Sequence, residues 1–407
     1  MRILFITSQL PYPPYSGGVI KSFRLLKYLS KHATVSLLCN LKGEDHKYEE
    51  DFKQEVVLQE YHSARADRPR SIRGLISSHI QSKTLNEWRN HTKQMELLVG
   101  DLWKRNDLIL IDHYEMFQFI PLECDIPIVL HTHNAEHIMW SRFADLDANA
   151  FKRAVFKLEA SRIKKAEQNA CKKSKLIFAA PDDLSALLQG FTKAEKPLTA
   201  KTLHLGNEEL LNLPKLQFEK AQKALLFFGS LGWQANIDAL DWFIQRVWPL
   251  VLLREPQAVF YIVGKNPPVQ LRKLAKKHGR IVFTGFIEDL DTYFQKCRVF
   301  VNPIRFGSGV KVKMLDAMYR GMPAISSDLG TESLALTSGQ HFLLANKPEE
   351  WVEAICLLLN DPTSWNKLSI NSRALASNEY RWEPMLENHL RDIQNCISQP
   401  KAQMHAI

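Results

Sequence analysis

The sequence predicts two α/β domains in tandem, each a parallel sheet wound by helices. Three observations lead there. The chain has 407 residues, too many for one ordinary hydrophobic core and enough for two domains of roughly 200. Apolar runs of strand length alternate with helical periodicity near the N-terminus and again after Ala224, which is the pattern of βαβ units. Several of those runs end in Gly or Pro just before a helix, as loops at the carboxyl edge of a parallel sheet do.

The elements follow in order. Arg2–Thr7 is a strand, Pro11–Gly18 a turn, and a helix from about Val19 to Lys31 places Ile20, Phe23, Leu26 and Leu29 at helical spacing. Ala33–Leu38 is the second strand, so the pair is parallel with a right-handed crossover. Leu108–Ile111 and Ile126–Leu130 continue the sheet, and Leu176–Ala179 closes it before Pro181. Residues 60–100 are polar and basic and read as helix and loop decoration. The second series has strands at Leu225–Phe228, Val259–Val263, Ile281–Phe283 and Val299–Val301, with helices near Ile237–Leu253 and Val269–Lys277. The tail after Tyr380 reads as terminal helices. The domains are expected at 1–205, completed by 380–400, and at 206–379, with a cleft between facing carboxyl edges.

Composition narrows the function. A 45% hydrophobic content with scattered aromatics excludes a disordered or collagen-like chain. No run approaches the ~18 uninterrupted apolar residues of a membrane span. Six cysteines, at 39, 124, 171, 297, 356 and 396, form no C-x-x-C pair, which suits a reduced, cytoplasmic protein. The absence of G-x-G-x-x-G and of a P-loop counts against a dehydrogenase or an ATPase.

The net charge is +9, and one segment concentrates it: Lys152–Lys175 holds nine basic and two acidic residues. Phe151, Val155, Leu158, Ile163 and Ala166 give that segment a rough apolar stripe. It reads either as the solvated face of a surface helix or as a helix resting on anionic lipid headgroups. Nucleic acid ranks last, since few aromatics interleave with the charges.

The most informative stretch is Asn302–Met318. A Gly307-Ser308-Gly309 loop opening a helix turns backbone N–H groups toward an anion at the positive end of the helix dipole. Lys311 and Lys313 sit in or near the first turn, where the dipole disfavours cations unless an anion compensates. Asp316, farther along, is placed to accept hydrogen bonds from ribose hydroxyls. The competing structural reading is a turn before a helix that buries Val312, Leu315 and Met318.

The run Gly307–Met318, continued by Arg320–Ser327, resembles the donor-binding signature of family-4 retaining glycosyltransferases of the GT-B fold. The branch most similar is that of bacterial exopolysaccharide and cell-envelope enzymes. Supporting pieces are Arg2–Gly18, His131–His137, Phe228-Gly229-Ser230 with Asn236, and Thr284-Gly285-Phe286 with Asp289.

The resemblance implies an acceptor-side first domain and a nucleotide-sugar donor-binding second domain. Two Rossmann-like domains would face each other, and the helix containing Trp382 would cross back to the first. It implies retaining transfer from a UDP- or GDP-sugar to a glycan or polyprenyl-linked acceptor, with no cofactor. It also implies that Gly17 and Gly18 approach the donor diphosphate and that Gly229 does so from the second domain. His133 would lie near the transferred sugar, with His131 as its rival and Glu136 and His137 as neighbours. Ile287 would sit by the base.

Two departures stand out. The family's pair of Glu residues is replaced by Ser308 and Asp316, and its Arg and Lys after the first strand of the second domain by Ser230 and Asn236. Lys311, with Arg305 or Lys313, is expected to supply the missing cation. No D-x-D-like pair sits suitably on a strand end of the second domain, so no metal is expected, and Asp182-Asp183 reads as helix capping and dipole chemistry. The rival functions are a degenerate scaffold subunit of a polysaccharide-assembly complex and a sugar-nucleotide epimerase. The expected location is the cytoplasm, with peripheral contact to the inner leaflet through Lys152–Lys175.

Overall fold

The computed structural model describes residues 1–398 apart from positions 16, 70, 147–148, 194, 202–206 and 308–309. The chain divides into two compact units, Met1–Leu203 with Glu383–Ile407, and His204–Trp382.

The first unit holds a seven-stranded parallel sheet of β1 (Arg2–Thr7), β2 (Thr34–Leu41), β3 (Glu60–Arg65), β4 (Leu108–Asp112), β5 (Ile128–His131), β6 (Leu176–Ala179) and β7 (Leu198–Lys201), in the order 3-2-1-4-5-6-7. Ile3 to Ile6 and Leu108 to Ile111 are fully buried, because helices cover both faces of a parallel sheet and leave no polar side. Register then places the site. Thr7 pairs with Asp112 and Asp112 with His131, so three polar side chains end adjacent strands in one row. From Glu383 onward the chain groups with this unit, and His389 stacks on Phe178 at 4.2 Å.

The second unit holds β8 (Gln222–Phe228), β9 (Val259–Val263), β10 (Ile281–Gly285), β11 (Cys297–Asn302), β12 (Ala324–Ser326) and β13 (Leu343–Leu344), parallel and in the order 10-9-8-11-12-13. Trp248 and Trp351 are fully buried in its core.

The first sheet does not close at Leu176–Ala179, as the sequence suggested, but adds β7 beside it. Three further readings are corrected. Glu60–Arg65, read as decoration, is the edge strand β3. An edge strand needs little apolar surface, and only Ala64 of its six residues is buried. The helix expected from Ile237 to Leu253 is two, Gln234–Arg246 and Trp248–Arg254, because Pro249 has no N–H to donate and fits only a first turn.

The third correction concerns the basic helix, Ala150–Lys173. Phe151 and Leu158, expected on its inner stripe, are 78% and 54% exposed, whereas Glu159 and Glu167 are 1% exposed. Each buried carboxylate has partners that offset its desolvation. Glu159 pairs with Arg162 at 2.7 Å and accepts from Leu85 N at 2.5 Å. Glu167 accepts from Glu136 N at 2.6 Å and lies 2.5 Å from His137 Nδ1.

Candidate functional site

In the first unit the carboxyl edge is built around Asp112, which is fully buried. Its Oδ2 accepts from Thr7 Oγ1 at 3.0 Å and Ser22 Oγ at 2.5 Å. Its Oδ1 lies 2.8 Å from both His131 Nδ1 and His133 Nε2. Burial works against the Asp112 charge, yet the imidazoles of His133, His113 and His131 hold its carboxyl well below the ordinary value. An ionised carboxylate only accepts, so the ring nitrogens facing it carry the protons.

That leaves His133 Nδ1 and His131 Nε2 bare, both buried and without a hydrogen-bond partner. Burial and the neighbouring His113 push the His133 imidazole well below its ordinary value, against the pull of Asp112. His133 is therefore neutral at pH 7, with an acceptor nitrogen to offer.

His131 and His133 differ in access. His131 is 0% exposed and His133 is 7% exposed, and Nδ1 of His133 is turned toward Gly18. A Cβ on Gly18 would lie 2.7 Å from that nitrogen, so the residue at 18 must be Gly for the ring to stay where it is. Gly17 opens the same helix, Gly17–His32. Gly18→Ala is expected to lower kcat by about ten- to a hundred-fold through a displaced ring, with a small change in melting temperature. Unchanged kcat would remove Gly18 from the site.

Sequence reasoning missed Asp112 and His113. His113 stacks on His133 at 4.2 Å and holds φ at +81°, rare for a residue with a side chain. The available signal was that Asp112 and His131 each terminate an apolar strand. Asp112, His113 and His133 bring donor atoms within 4.8 Å of one another. Both Asp112 oxygens are, however, already engaged by N–H and O–H donors, so the cluster as arranged is a hydrogen-bonded network. Glu136 and His137 belong to a neighbouring network around Glu167, whose carboxyl burial lifts to about 7. Asp182 and Asp183 lie in the first turn of Pro181–Leu187, where the dipole favours acids as the sequence suggested, although the N-cap itself is Ala180. Asp183 also accepts from Ala135 N at 2.9 Å and tethers the loop after β5.

In the second unit, β8 ends at Gly229, with φ +154°. Here Asn236 Nδ2 donates to Ser230 O at 2.8 Å, and Lys313 Nζ donates to Asn236 Oδ1 at 2.7 Å. A Cβ on Gly229 would lie 2.9 Å from Asn236 Nδ2 and 3.4 Å from Lys313 Nζ. Lys313 comes from the start of the helix Val312–Arg320. Its ammonium thus reaches the position-236 side chain, where the resembling family carries a Lys of its own. Burial, reinforced by Lys311, pushes the Lys313 amine down to about 7. Among the described residues no carboxylate pairs with it.

The other residues singled out in this unit are spread more widely. Lys311 lies 3.8 Å from Glu332. Arg305 is drawn aside into a two-point pair with Asp238, both contacts at 2.8 Å. Gly307 holds φ at +130° with open space beside it, and Ser308 and Gly309 lie outside the described residues. The Asp316 carboxyl makes no hydrogen bond among the described residues, and burial lifts it to about 6. Ile287 packs its side chain on the cluster containing Leu226 and Phe228, beyond the turn at Gly285.

The profile of the family described as "Glycosyl transferases group 1" matches residues 222–361, the span that holds Gly229, Asn236, Lys313 and Asp316. The chain carries a glycosyl transferase group 1 domain. Along 392 residues the protein is 21% identical to an uncharacterized 44.6 kDa protein in the cps region of Klebsiella pneumoniae, covering 93% of this chain and 96% of that one.

Two solved structures are similar along nearly the whole length. Sucrose-phosphate synthase from Thermosynechococcus elongatus has a TM-score of 0.69 at 15% identity, covering 97% of this chain and 99% of the other. Anabaena HepE in complex with UDP and glucose has a TM-score of 0.67 at 15% identity, covering 97% and 100%. At that identity the likeness establishes the fold alone, and the fold is GT-B.

Proposed function

We propose that this protein moves a sugar from a UDP- or GDP-sugar to a glycan or polyprenyl-linked acceptor, with retention, in capsular or envelope polysaccharide synthesis. The observation that carries this reading is the Lys313 ammonium. It lies at the strand end marked by Gly229, desolvated and with no carboxylate beside it among the described residues, at the start of a helix. A buried cation with no counter-charge is costly, and a leaving diphosphate supplies the missing anion. The cps-region relative supports the polysaccharide context, and the UDP and glucose of HepE support a nucleotide-sugar donor.

The chemistry follows from the residues. Glycosyl transfer passes through an oxocarbenium-like state while negative charge grows on the diphosphate. Lys313, Lys311 and the N–H groups of the helix Val312–Arg320 are placed to meet that charge, so transfer proceeds without a divalent ion. The Asp316 carboxyl, which makes no hydrogen bond among the described residues, takes the ribose hydroxyls, and the bare His133 Nδ1 accepts from a hydroxyl of the transferred sugar.

A thermal-shift screen over nucleotides and nucleotide-sugars tests the donor. A nucleoside diphosphate held at about 100 times its Kd adds about 2.7 kcal/mol of stability and raises Tm. Release of free nucleoside diphosphate only when acceptor is present supports transfer. Binding without turnover would favour a scaffold subunit instead, and no shift with any nucleotide would overturn the reading.

A further inference from the structure

The helix Ile72–Ile80 is built inside out. Its buried residues are Gly74 and Ser78, one turn apart on one face. A Cβ on Gly74 would lie 2.8 Å from the Trp88 ring. On the opposite side Ile72, Ile76 and Ile80 are 79%, 55% and 80% exposed, again at a spacing of four. A helix on a water-facing surface puts its apolar residues inward; here the small and polar ones are inward and the isoleucines stand in solvent. Contiguous exposed apolar surface of this kind marks an interaction site.

A second helix touches the end of the first. Arg162, on the helix Ala150–Lys173, donates to Ser78 O at 3.1 Å and to Lys83 O, which fastens it against the end of Ile72–Ile80. Helical periodicity puts Phe151, Val155 and Leu158 on the same face as Arg162, and Phe151 and Leu158 are the two residues found exposed there. The charge on these two helices is mostly positive, although Lys157 is paired with Asp145 at 2.9 Å. Ile72–Ile80 has no acidic residue and carries Arg73 and His79. The neighbouring helix has its only two acids, Glu159 and Glu167, buried, and exposes Lys152 and Lys165.

From this juxtaposition we infer that the isoleucine ridge of Ile72–Ile80, with Phe151 and Leu158, inserts into the headgroup layer of an anionic membrane. The surrounding Lys and Arg side chains hold the phosphates. Charge complementarity selects the occupant. Apolar side chains ringed by cations match acyl chains beneath anionic headgroups, whereas an acidic protein surface would leave the ridge unfilled. No helix among the described residues is long and apolar enough to cross a membrane, so this contact is interfacial. It rests on the polyprenyl-linked acceptor of the proposed function, and it relocates the inner-leaflet contact expected from the sequence. The cations of Lys152–Lys175 act together with an apolar anchor on Ile72–Ile80, where the sequence suggested a largely electrostatic contact.

The test is co-sedimentation of the full chain with vesicles of phosphatidylcholine, alone or mixed with phosphatidylglycerol, at about 0.15 M and about 1 M salt. The protein is expected to pellet with the anionic vesicles, and part of it to remain bound at high salt, because insertion is not screened. Ile72→Asp/Ile76→Asp/Ile80→Asp should lower the partition about tenfold or more, and the matching triple Leu variant should retain it. Ile76→Ser/Ile80→Ser gives the same reading if the triple variant folds poorly.

Nucleoside diphosphate affinity, followed by calorimetry, should be unchanged in these variants, which separates failure of this surface from failure of the donor site. The inference is overturned if the wild-type chain does not pellet with anionic vesicles. It is equally overturned if the Asp variant pellets as well as wild type, or if charge reversal at Lys164, Lys165, Lys172 and Lys173 abolishes binding while the Asp variant keeps it.

Discussion

His133→Ala is expected to lower kcat by about 10²-fold or more while changing donor affinity by only a few-fold. Both the His131 and His133 rings have an unsatisfied nitrogen, but His133 is 7% exposed and His131 is 0% exposed. Under the proposed function, a neutral imidazole held rigidly at 133 would accept from the sugar without reorganising. The rigidity comes from Asp112, whose ionised carboxylate fixes the tautomer and the ring plane. Asp112→Asn should therefore also lower kcat, with a lower melting temperature because Thr7, Ser22 and two histidines lose a charged acceptor. His131→Ala is the control. Its ring is fully enclosed, so its loss should appear in stability before turnover. If His131→Ala abolishes turnover in folded protein and His133→Ala does not, the assignment is reversed.

Lys313→Met is expected to weaken nucleoside diphosphate binding by about 1.5–3 kcal/mol, the range for a charged hydrogen bond. Lys311→Ala should cost less, because Glu332 already offsets its charge. The Lys313 amine also gives binding a pH dependence of definite sign. In the free protein it titrates at about 7, and a bound diphosphate favours the charged form. Above pH 7 binding takes up a proton, so affinity should fall as pH rises from 7.5 to 9 (test conditions), by up to about tenfold per pH unit.

Calorimetry in two buffers of different ionisation heat detects that proton. The dependence should vanish in Lys313→Met, and a wild-type affinity that is flat with pH would place the diphosphate elsewhere. The same shift makes the free protein more stable as pH rises above 7. In that window the unfolded chain, whose lysine still titrates near its ordinary value, binds the additional proton.

Much of the architecture was legible because a parallel sheet buried on both faces writes itself as continuous apolar runs. Arg2–Thr7, Leu108–Ile111 and Leu176–Ala179 are such runs, and each is a strand. Elements that escape that rule were missed. Glu60–Arg65 lies at a sheet edge and has only one residue to hide. Pro249 divides a helical pattern whose periodicity continues across it. The glycines and His133 were visible as residues out of place for packing, at strand ends and helix starts.

By itself, the sequence determined two wound parallel sheets, a glycine-and-lysine helix start in the second half, and a histidine at a strand end in the first. Only the tertiary structure decided which polar groups matter. Lys311, Lys313 and Arg305 look interchangeable in a line of residues, but helix phase carries Lys313 to Asn236, while Arg305 is spent on Asp238. Asp112 reads as an ordinary strand terminus until strand register sets it between Thr7 and His131. The acids of the basic helix look solvated until their partners, 30 residues away for Glu167 with His137 and 74 for Glu159 with Leu85, are brought beside them. Local spacing along a chain specifies secondary structure through short-range sterics. Electrostatic role depends on burial and on partners distant in sequence, which exist only once the sheet has assembled.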